Sequence, residues 1–553
     1  MGKASDKMIP DCDVIVVGSG FAGIYALREA RRRGFHVRGF EKAPDVGGTW
    51  YWNSYPGARC DVASYYYAYF FDREVVRQWN WSNVCAGQEE IQRYLRFAAE
   101  HCGIVDLISF NTTVRSATYS DDTGLWAVET LAKETLAKET GANETVLCRY
   151  LILAIGALSE PKTPDIEGVQ NFAGEMYFTS YWPKDKVVDF RGKRVGVIGT
   201  GSSGVQVIPE VAKVARDVHV FQRTANYVVP TLAGPMNPAI VSSLRENPDA
   251  VRGKLRQTYG GNQPLNIGKH RFHELDEAGR LAALERAWEG HYVALAFWDA
   301  HLPEANAAIS DFVRGKIREL VRDPRTAHRL VPWDHPLGGK RVCQSDIYFQ
   351  TFNEPNVKLV CLRETPIESV TRDGITTSAE TIPLDVIIYA TGFDAMSGPV
   401  LAIDITGMNG LSMKQAWADG PMNYLGTMVN GFPNLFLPSS AMSPSVFSNM
   451  ATLAEQQIDF IFDTVSWLEE RGSARIHPRA DSQKRWREET LQSAKRRPGA
   501  LTTKSWYSGA NVPGKPRVFM VYCGGFKRYH DACSAEVEGG FPSYELLPPA
   551  VST

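Results

Sequence analysis

Two stretches of the chain repeat one pattern of apolar and polar positions. In each, an apolar run meets a glycine-rich turn, a helical pattern follows, and a second apolar run ends the stretch. The first stretch is DVIVVGSGFAGIYALREARRRG followed by HVRGFEK, and the second is RVGVIGTGSSGVQVIPEVAKVA followed by DVHVFQRT. An apolar run bounded by glycine favours a buried strand, whereas apolar residues three and four positions apart favour a helix. The chain is therefore predicted to contain two strand–turn–helix–strand units.

Between the two units the pattern is that of a β-hairpin. WAVET and NETVLCRYLILAIG are predicted as its two strands, and the connection contains the tandem repeat LAKETLAKET at residues 131–140. A short polar repeat at a turn is typical of a tolerated surface insertion.

After the second unit the pattern becomes helical. HELDEAGRLAALERAWEG and NAAISDFVRGKIRELVRD carry apolar residues at helical spacing, which predicts an inserted helical subdomain. Strand-like runs return in NVKLVCLRE and LDVIIYATGFD. The second of these is predicted to close the second unit and to lead the chain back to the first.

The first glycine-rich turn predicts a dinucleotide site. Gly18, Gly20 and Gly23 form G-x-G-x-x-G between a strand and a helix, where the backbone turns tightly and approaches a pyrophosphate at the helix N-terminus. Glu41 ends the next strand, 18 residues after Gly23, where a carboxylate can accept hydrogen bonds from ribose hydroxyls. We assign this unit to FAD.

The second turn has the same design with a different residue at the end of its second strand. Gly199, Gly201 and Gly204 form the motif, in which Ser202 begins the helix. Arg223 and Thr224 then lie where the first unit has its acid. A cation at this point favours a 2′-phosphate, which an acid would repel, so we assign this unit to NADPH.

These assignments predict an α/β fold with two Rossmann-like dinucleotide-binding domains and an inserted helical subdomain. A chain of 553 residues is too long for one core, which agrees with several domains. The predicted FAD domain comprises residues 1–155 and 385–553, the NADPH domain residues 156–228 and 335–384, and the helical subdomain residues 229–334.

The amino-acid composition limits which kinds of partner molecule are expected. The chain has 60 Lys and Arg against 62 Asp and Glu, so neither nucleic acid nor a stable membrane association is expected. It contains no run of about 18 apolar residues and no signal-peptide pattern. The nine cysteines are scattered, odd in number and never spaced C-x-x-C, which predicts free thiols in the cytoplasm and no metal site.

A further motif identifies the type of flavoprotein. GGTWYWNSYPGARCD, residues 47–61, matches [AG]-G-x-W-x-x-x-x-[FY]-P-[GM]-x-x-x-D in full. The chain resembles the type I (class B) flavin-dependent Baeyer–Villiger monooxygenases, which this motif marks. A second family fingerprint, F-x-G-x-x-x-H-x-x-x-W-P, matches FAGEMYFTSYWP at 172–183, with Phe178 in place of the histidine.

The resemblance implies a reaction and its catalytic residues. In this family NADPH reduces FAD, oxygen adds to form a flavin C4a-peroxide, and the peroxide attacks a ketone to give an ester or lactone. The matching catalytic arginine is Arg341, and its partner carboxylate is Asp61. A guanidinium stays charged and can stabilise negative charge on the peroxide and on the tetrahedral intermediate. An ordinary buried ion pair is the structural alternative for these two residues.

The resemblance also implies further contacts. Lys340 matches a second NADPH-contacting cation, and Trp506 matches a tryptophan near the nicotinamide ribose and substrate, although a core role is the alternative for Trp506. The remaining cofactor-binding residues of the 47–61 motif are Gly48, Thr49, Trp50 and Asp61.

The sequence departs from the family pattern at two places. Phe178 can neither donate, accept nor titrate, so we interpret this position as supporting the connection between domains rather than the chemistry. Where the family has a Gly-Pro-Gly turn near the flavin, the chain has Ser440, Ala441 and Met442. Either this loop follows another path or flavin binding is weakened, because only glycine adopts left-handed conformations freely.

The segment after this loop, SPSVFSNM, keeps the pattern of the family branch that accepts bulky, aromatic, steroid or large-ring ketones. Val446 and Phe447 are the predicted pocket residues. The expected partners are such a ketone and O2, and the protein is expected to be a monomer or a weak homo-oligomer. The alternatives are an N- or S-oxygenating flavin monooxygenase, or an impaired flavoprotein that acts as a scaffold or as an NADPH oxidase.

Overall fold

The computed structural model describes residues 9–132, 143–162, 164–262, 268–472 and 474–548. Part of the tandem repeat, residues 133–140, lies outside this description. The strands are, in chain order, β1 (Cys12–Val17), β2 (Val37–Phe40), β3 (Ile108–Ser109), β4 (Thr112–Tyr119), β5 (Trp126–Ala132), β6 (Asn143–Leu153), β7 (Glu175–Phe178), β8 (Arg194–Ile198), β9 (Asp217–Gln222), β10 (Val228–Val229), β11 (Cys343–Gln344), β12 (Val357–Cys361), β13 (Ile367–Thr371), β14 (Gly374–Thr377), β15 (Thr381–Pro383), β16 (Val386–Tyr389), β17 (Asp404–Thr406), β18 (Leu435–Phe436), β19 (Arg475–Pro478) and β20 (Tyr544–Leu547).

The α-helices lie mainly beside the sheets and in one inserted segment. They are α1 (Phe21–Arg32), α2 (Thr49–Trp52), α3 (Arg73–Gln78), α4 (Gln88–His101), α5 (Ser202–Ala212), α6 (Pro238–Glu246), α7 (Pro248–Arg256), α8 (Glu277–Glu289), α9 (Pro303–Leu320), α10 (Pro324–Leu330), α11 (Tyr348–Thr351), α12 (Gly398–Leu401), α13 (Met413–Ala416), α14 (Met450–Glu469), α15 (Ala480–Ala494) and α16 (Phe526–Glu538). None of the helices in the described ranges is long and apolar enough to cross a membrane.

The first unit forms a mixed eight-stranded sheet. Its order is β17-β4-β5-β6-β1-β2-β3, with β18 paired to β6. β1 pairs in parallel with β2 and with β6, whereas β4, β5 and β6 are antiparallel neighbours. The side chains from Val14 to Val17 are all buried, as expected for a central strand covered on both faces.

The second unit forms a wholly parallel sheet of five strands in the order β12-β9-β8-β16-β7. The predicted α/β fold with two Rossmann-like units is confirmed. β16 begins at Val386 and belongs to this sheet, so the chain leaves the second unit after Tyr389. The predicted boundary at residues 384–385 lies just before this strand, and the domain bounds stay a prediction.

The helical insertion is fixed to the first unit by a buried polar cluster. Arg252 on α7 forms salt bridges with Glu455 and, at 2.9 Å, with Asp459, both on α14. Tyr25 on α1 donates a hydrogen bond of 2.6 Å to Asp459. Three helices that are distant in sequence therefore share one set of charges, and the loss of Arg252 would leave the buried Glu455 without a salt-bridge partner among the described residues.

Candidate functional site

The first glycine-rich turn divides its glycines between packing and open space. Gly18 has φ of +95°, and a Cβ on Gly23 would lie 1.8 Å from the Gly18 carbonyl oxygen, so helix and strand touch here. A Cβ on Gly20, in contrast, would have Gly48 Cα at 3.6 Å as its nearest neighbour. Gly20 also precedes α1 without a side-chain cap, so the first-turn N–H groups remain for an anion.

Glu41 lies directly beside this turn, where its prediction placed it. Its carboxylate accepts hydrogen bonds from Ser19 N at 2.7 Å, from Ser19 Oγ at 2.9 Å and from Ala43 N at 2.9 Å. Burial raises the pKa of Glu41, and these donors act against that rise. The turn thus holds the Glu41 carboxylate beside the place where a ribose would bind. This arrangement fits a dinucleotide.

The second turn repeats this division of roles. Gly199 has φ of +110°, and a Cβ on Gly204 would lie 2.2 Å from the Gly199 carbonyl oxygen. A Cβ on Gly201 would meet nothing within 4 Å. Ser202, the first residue of α5, is exposed, and its Oγ lies 3.5 Å from Cys343 Sγ. This turn also fits a pyrophosphate.

Cations gather at the end of β9, where the second unit differs from the first. Arg223 is exposed and forms no salt bridge within the described residues, and the Thr224 carbonyl accepts from Thr200 at 3.0 Å. Burial lowers the pKa of Lys340, Asp334 opposes this, and Arg223 adds to the lowering. A bound phosphate dianion would remove this mutual repulsion, so the cluster fits the 2′-phosphate of NADPH.

The 47–61 segment joins the two units. Gly48 lies against the first turn, and the exposed Thr49 begins α2. Trp50 donates through Nε1 to the Tyr67 hydroxyl at 3.1 Å. Further along the segment, the Tyr55 hydroxyl donates to Gln206 on α5 at 2.8 Å.

The segment ends at the predicted catalytic pair, which the structure brings together. Arg341 donates through Nη2 to Asp61 and through Nη1 to the Val446 carbonyl, the latter at 2.8 Å. Asp61 is the main cause that raises the pKa of Arg341, so the guanidinium remains charged. About a third of the Arg341 side chain, 33%, is accessible, which leaves it open on one side.

Aromatic side chains form the wall beyond this pair. The ring centroid of Phe447 lies 4.6 Å from that of Tyr507 in an edge-to-face contact. The ring centroid of Phe519 lies 6.4 Å from that of Phe447. Trp506 is half-buried with its ring 4.3 Å from Tyr507. Val446 and Phe447 are also half-buried, so the predicted pocket residues lie beside Arg341 and next to apolar surface.

The loop that lacks the family glycines keeps a left-handed conformation without them. Met442 has φ of +63° and is fully buried. Its amide donates to Met520 at 2.7 Å, and its carbonyl accepts from Trp486 Nε1 at 2.8 Å. These bonds impose on a bulky residue a conformation that costs of order 1–3 kcal/mol.

Phe178 lies apart from the catalytic pair, in the second sheet. It ends β7, pairs with Tyr389 on β16, and its ring stacks on that of Tyr389 at 4.8 Å. The next residues continue the contact, because Thr179 N donates to the Tyr389 carbonyl at 3.1 Å. The side chain at this position packs a strand end where the chain leaves the second unit.

Two site residues are absent from the predicted set. Tyr507 is buried beside Arg341, and Gln344 donates through Nε2 to the Asp61 carbonyl at 3.4 Å. Tyr507 adjoins the predicted Trp506 in SWYSGAN, and this adjacency was the available signal. Gln344 has no local pattern that distinguishes it.

The comparisons with known proteins identify the family of the chain. Residues 11–241 match the family model described as flavin-binding monooxygenase-like. The 2-oxo-Δ3-4,5,5-trimethylcyclopentenylacetyl-CoA monooxygenase of Pseudomonas putida is 38% identical over 97% of this chain and 98% of its own length. The Baeyer–Villiger monooxygenase of Pseudooceanicola batsensis is 36% identical over 96% of each chain. A solved structure of an oxidised steroid monooxygenase bound to NADP superposes with a TM-score of 0.89 at 39% identity, covering 97% of this chain and 99% of that one. The predicted resemblance is confirmed, and the chain belongs to the Baeyer–Villiger monooxygenases.

Proposed function

We propose that the protein uses FAD, NADPH and O2 to convert an apolar, bulky or cyclic ketone into an ester or lactone, with Arg341 and Asp61 as its catalytic pair. The proposal rests on one observation above all. Arg341 is held by Asp61 and by the Val446 carbonyl at the place where the 47–61 segment meets the predicted pocket.

The role of Arg341 follows from its hydrogen bonds. A guanidinium has five N–H donors and does not deprotonate. Two donors are used by Asp61 and Val446, and the other three have no hydrogen bond within the described residues. FAD, when bound, supplies the oxygen activation. The free donors then stabilise negative charge on the transferred oxygen and on the substrate carbonyl.

Asp61 orients the positively charged guanidinium of Arg341. Its carboxylate holds one edge of the guanidinium, so the remaining N–H groups keep one direction before substrate arrives. Preorganised donors of this kind lose little energy to reorientation during the reaction. Removal of Asp61 would leave Arg341 charged but free to adopt other rotamers.

The second unit provides the NADPH preference. Arg223 and Lys340 are cations without a salt bridge within the described residues. The 2′-phosphate of NADPH would pair with both, whereas NADH has no group for them. The exposed N-terminus of α5 at Gly201 would bind the pyrophosphate.

A competing function is NADPH oxidation that releases hydrogen peroxide. Met442 favours it, because a bulky residue in a left-handed turn replaces the family glycine beside the flavin. N- or S-oxygenation is the other alternative, and the Arg341–Asp61 pair argues against it because such reactions do not need a stabilised anionic oxygen.

The test compares the purified, FAD-saturated wild type with Arg341→Ala and Asp61→Ala. Phenylacetone and a large-ring ketone serve as substrates, and ester, NADPH consumption and hydrogen peroxide are measured together. We expect the wild type to form ester in step with NADPH use. Arg341→Ala should lose on the order of 10²-fold to 10³-fold in ester formation.

A matched control is Arg329→Ala, because Arg329 is paired with Glu364 on the surface. This variant should keep the wild-type rate. Ester formation by Arg341→Ala at the wild-type rate would contradict the catalytic role. Hydrogen peroxide without ester from the wild type would instead support the oxidase.

The proposal extends to location and assembly. All nine cysteines are free thiols, seven of them buried, which fits a reducing cytoplasm. A monomer or weak homo-oligomer is expected. Light scattering after gel filtration would measure the mass against the 61.4 kDa chain.

A further inference from the structure

A second arginine lies beside the predicted substrate pocket. Arg497 follows α15 in the turn Lys495–Arg496–Arg497, and its Cζ lies 3.6 Å from the centroid of the Phe447 ring. Phe447 directly follows Val446, whose carbonyl holds Arg341. The two guanidinium groups therefore contact adjacent residues of the same dipeptide.

The charge of Arg497 has no carboxylate partner among the described residues. Within the described residues its side chain forms no salt bridge and no hydrogen bond, and its Nε is buried. Among the described residues, Lys495 and Arg496 also form no salt bridge.

A second polar group beside Arg497 also lacks a partner. The Tyr507 hydroxyl is buried without a hydrogen bond. Its ring packs edge-to-face on Phe447, and burial raises the pKa of its hydroxyl while the charges of Arg341 and Arg497 act against that rise. The hydroxyl thus lies within the field of both arginines. Buried polar groups in folded proteins almost always have partners, and two unpartnered donors around one ring indicate a missing acceptor.

A stacking contact alone does not explain this arrangement. A guanidinium over an aromatic face satisfies its charge in part, but the ring accepts none of its in-plane N–H donors. A carboxylate is the acceptor that matches a guanidinium best, because it can take two parallel N–H bonds.

We propose that Arg497 binds a carboxylate of the substrate, so that the preferred substrates are apolar keto acids whose ketone lies at Arg341 and whose carboxylate lies at Arg497. This inference rests on the proposed ketone oxidation. The Phe447 ring lies between the two ends and packs against the apolar body of the substrate. The Tyr507 hydroxyl provides a second donor for the bound oxygens.

The position of Arg497 is well fixed for this role. The Arg497 amide donates to the Ala494 carbonyl at 3.0 Å, and the Arg497 carbonyl accepts from the Ala500 amide at 3.2 Å. Pro498 follows it and restricts the backbone further. The side chain is therefore presented by a defined turn at the end of a helix.

The experiment compares one neutral and one anionic ketone of the same shape. Phenylacetone and 4-(2-oxopropyl)benzoate are given to the FAD-saturated wild type, Arg497→Gln, Arg497→Lys and the control Arg496→Gln. We expect Arg497→Gln to raise KM for the benzoate by about 10-fold to 100-fold, the loss of a charge-assisted contact, and to leave KM for phenylacetone nearly unchanged. Arg497→Lys should fall between, and Arg496→Gln should match the wild type.

Calorimetric titration of the holoenzyme with the benzoate and with its neutral amide supplies a readout without turnover. Tighter binding of the benzoate by the wild type, lost in Arg497→Gln, supports the inference. Equal binding of the two compounds, or equal changes for both ketones in Arg497→Gln, overturns it. If neither ketone is oxidised, the proposed function fails, and the titration still decides whether Arg497 binds a carboxylate. FAD content and melting temperature verify folding, and Arg497→Lys replaces Arg497→Gln if the latter does not fold.

Discussion

The two glycine-rich units share a backbone and differ in one residue at the end of their second strand. In the first, the acid Glu41 is buried and bound to the backbone of the turn itself. In the second, the cation Arg223 is exposed and has no carboxylate partner within the described residues. The turn fits a pyrophosphate in both units, and we predict that the residue after the second strand distinguishes the two dinucleotides.

The comparison also separates two uses of glycine. In each unit the first and third glycines have no room for a Cβ. A Cβ on the first would meet the carbonyl oxygen of Ala154 or Ala390, and a Cβ on the third would meet the carbonyl oxygen of the first glycine. The middle glycine has room for a Cβ in both units, since the nearest atom would be Gly48 Cα at 3.6 Å for Gly20 and no atom lies within 4 Å for Gly201. We therefore predict that the first and third positions are needed for the fold and that the middle position is needed for the close approach of a ligand.

The largest expected effect is on stability, when a methyl group is added at the third glycine of either turn. Gly23→Ala or Gly204→Ala places a methyl within about 2 Å of a backbone oxygen that belongs to the same turn. We expect each to lower the free energy of unfolding by about 3 kcal/mol or more. Urea denaturation and flavin content measure this.

Gly201→Ala is the matched control, since a Cβ there meets nothing within 4 Å. It should leave the urea midpoint unchanged and weaken NADPH binding. Equal destabilisation by Gly201→Ala and Gly204→Ala would contradict the division between packing and ligand approach.

The next largest effect is expected on the preference for NADPH over NADH. Arg223→Ala should raise KM for NADPH by about 10-fold to 100-fold, because a charge-assisted contact to phosphate is lost, and should leave KM for NADH nearly unchanged. Steady-state kinetics with both coenzymes measure the ratio. Arg216→Ala is the control, because Arg216 is exposed on the same unit and paired with Asp217. An unchanged coenzyme ratio would assign the 2′-phosphate to other cations.

Sequence patterns predicted the parts of the site that are formed by residues close together in the chain. The glycine turns, their strands and the residues Glu41 and Arg223 follow from a pattern of about 30 residues in each unit. Asp61 and Arg341 are 280 residues apart, and only the family resemblance linked them. Arg497 belongs to a run of three basic residues that is indistinguishable from a solvated surface until the fold places it over Phe447.

The conformation of the 440–442 loop depends on residues that are distant in the sequence. A sequence shows that glycine is missing, but it does not show whether neighbouring groups hold another residue in the same conformation. The bonds from Met442 to Met520 and from Trp486 to Met442 come from segments far along the chain.

A smaller effect is expected at Glu41. Glu41→Gln keeps one acceptor oxygen but presents an amide N–H to Ser19 N or Ala43 N, so flavin affinity should fall about tenfold. The control is Glu90→Gln, since Glu90 also accepts from a backbone N–H and a serine hydroxyl, both of Ser82 at 2.7 Å. It should leave flavin affinity unchanged, as measured by flavin fluorescence titration of deflavinated protein.

Glu41 also predicts a pH dependence of stability. Burial raises its folded pKa above the usual 4.5, so as the pH rises above 4.5 the unfolded chain releases this proton before the folded chain does. The Glu41 contribution to stability is then greatest below this window and decreases as the pH rises through the folded pKa. The wild type should lose this part of its stability between pH 4.5 and the folded pKa, and Glu41→Gln should not. Urea midpoints across pH measure the difference, and identical slopes would contradict it.

The smallest effect is expected at Phe178, because its ring packs on Tyr389 within the second sheet. Phe178→His keeps a planar ring against Tyr389 and should change kcat and KM for NADPH by no more than about twofold, a free energy near ~0.5 kcal/mol. Phe178→Ala removes the stacked ring and should lower stability by about 1 kcal/mol. If Phe178→His instead changed the rate of ester formation tenfold without a change in melting temperature, the position would act on the reaction. The connection out of the second unit would then belong to the catalytic machinery, because Tyr389 lies at the point where the chain returns to the first unit.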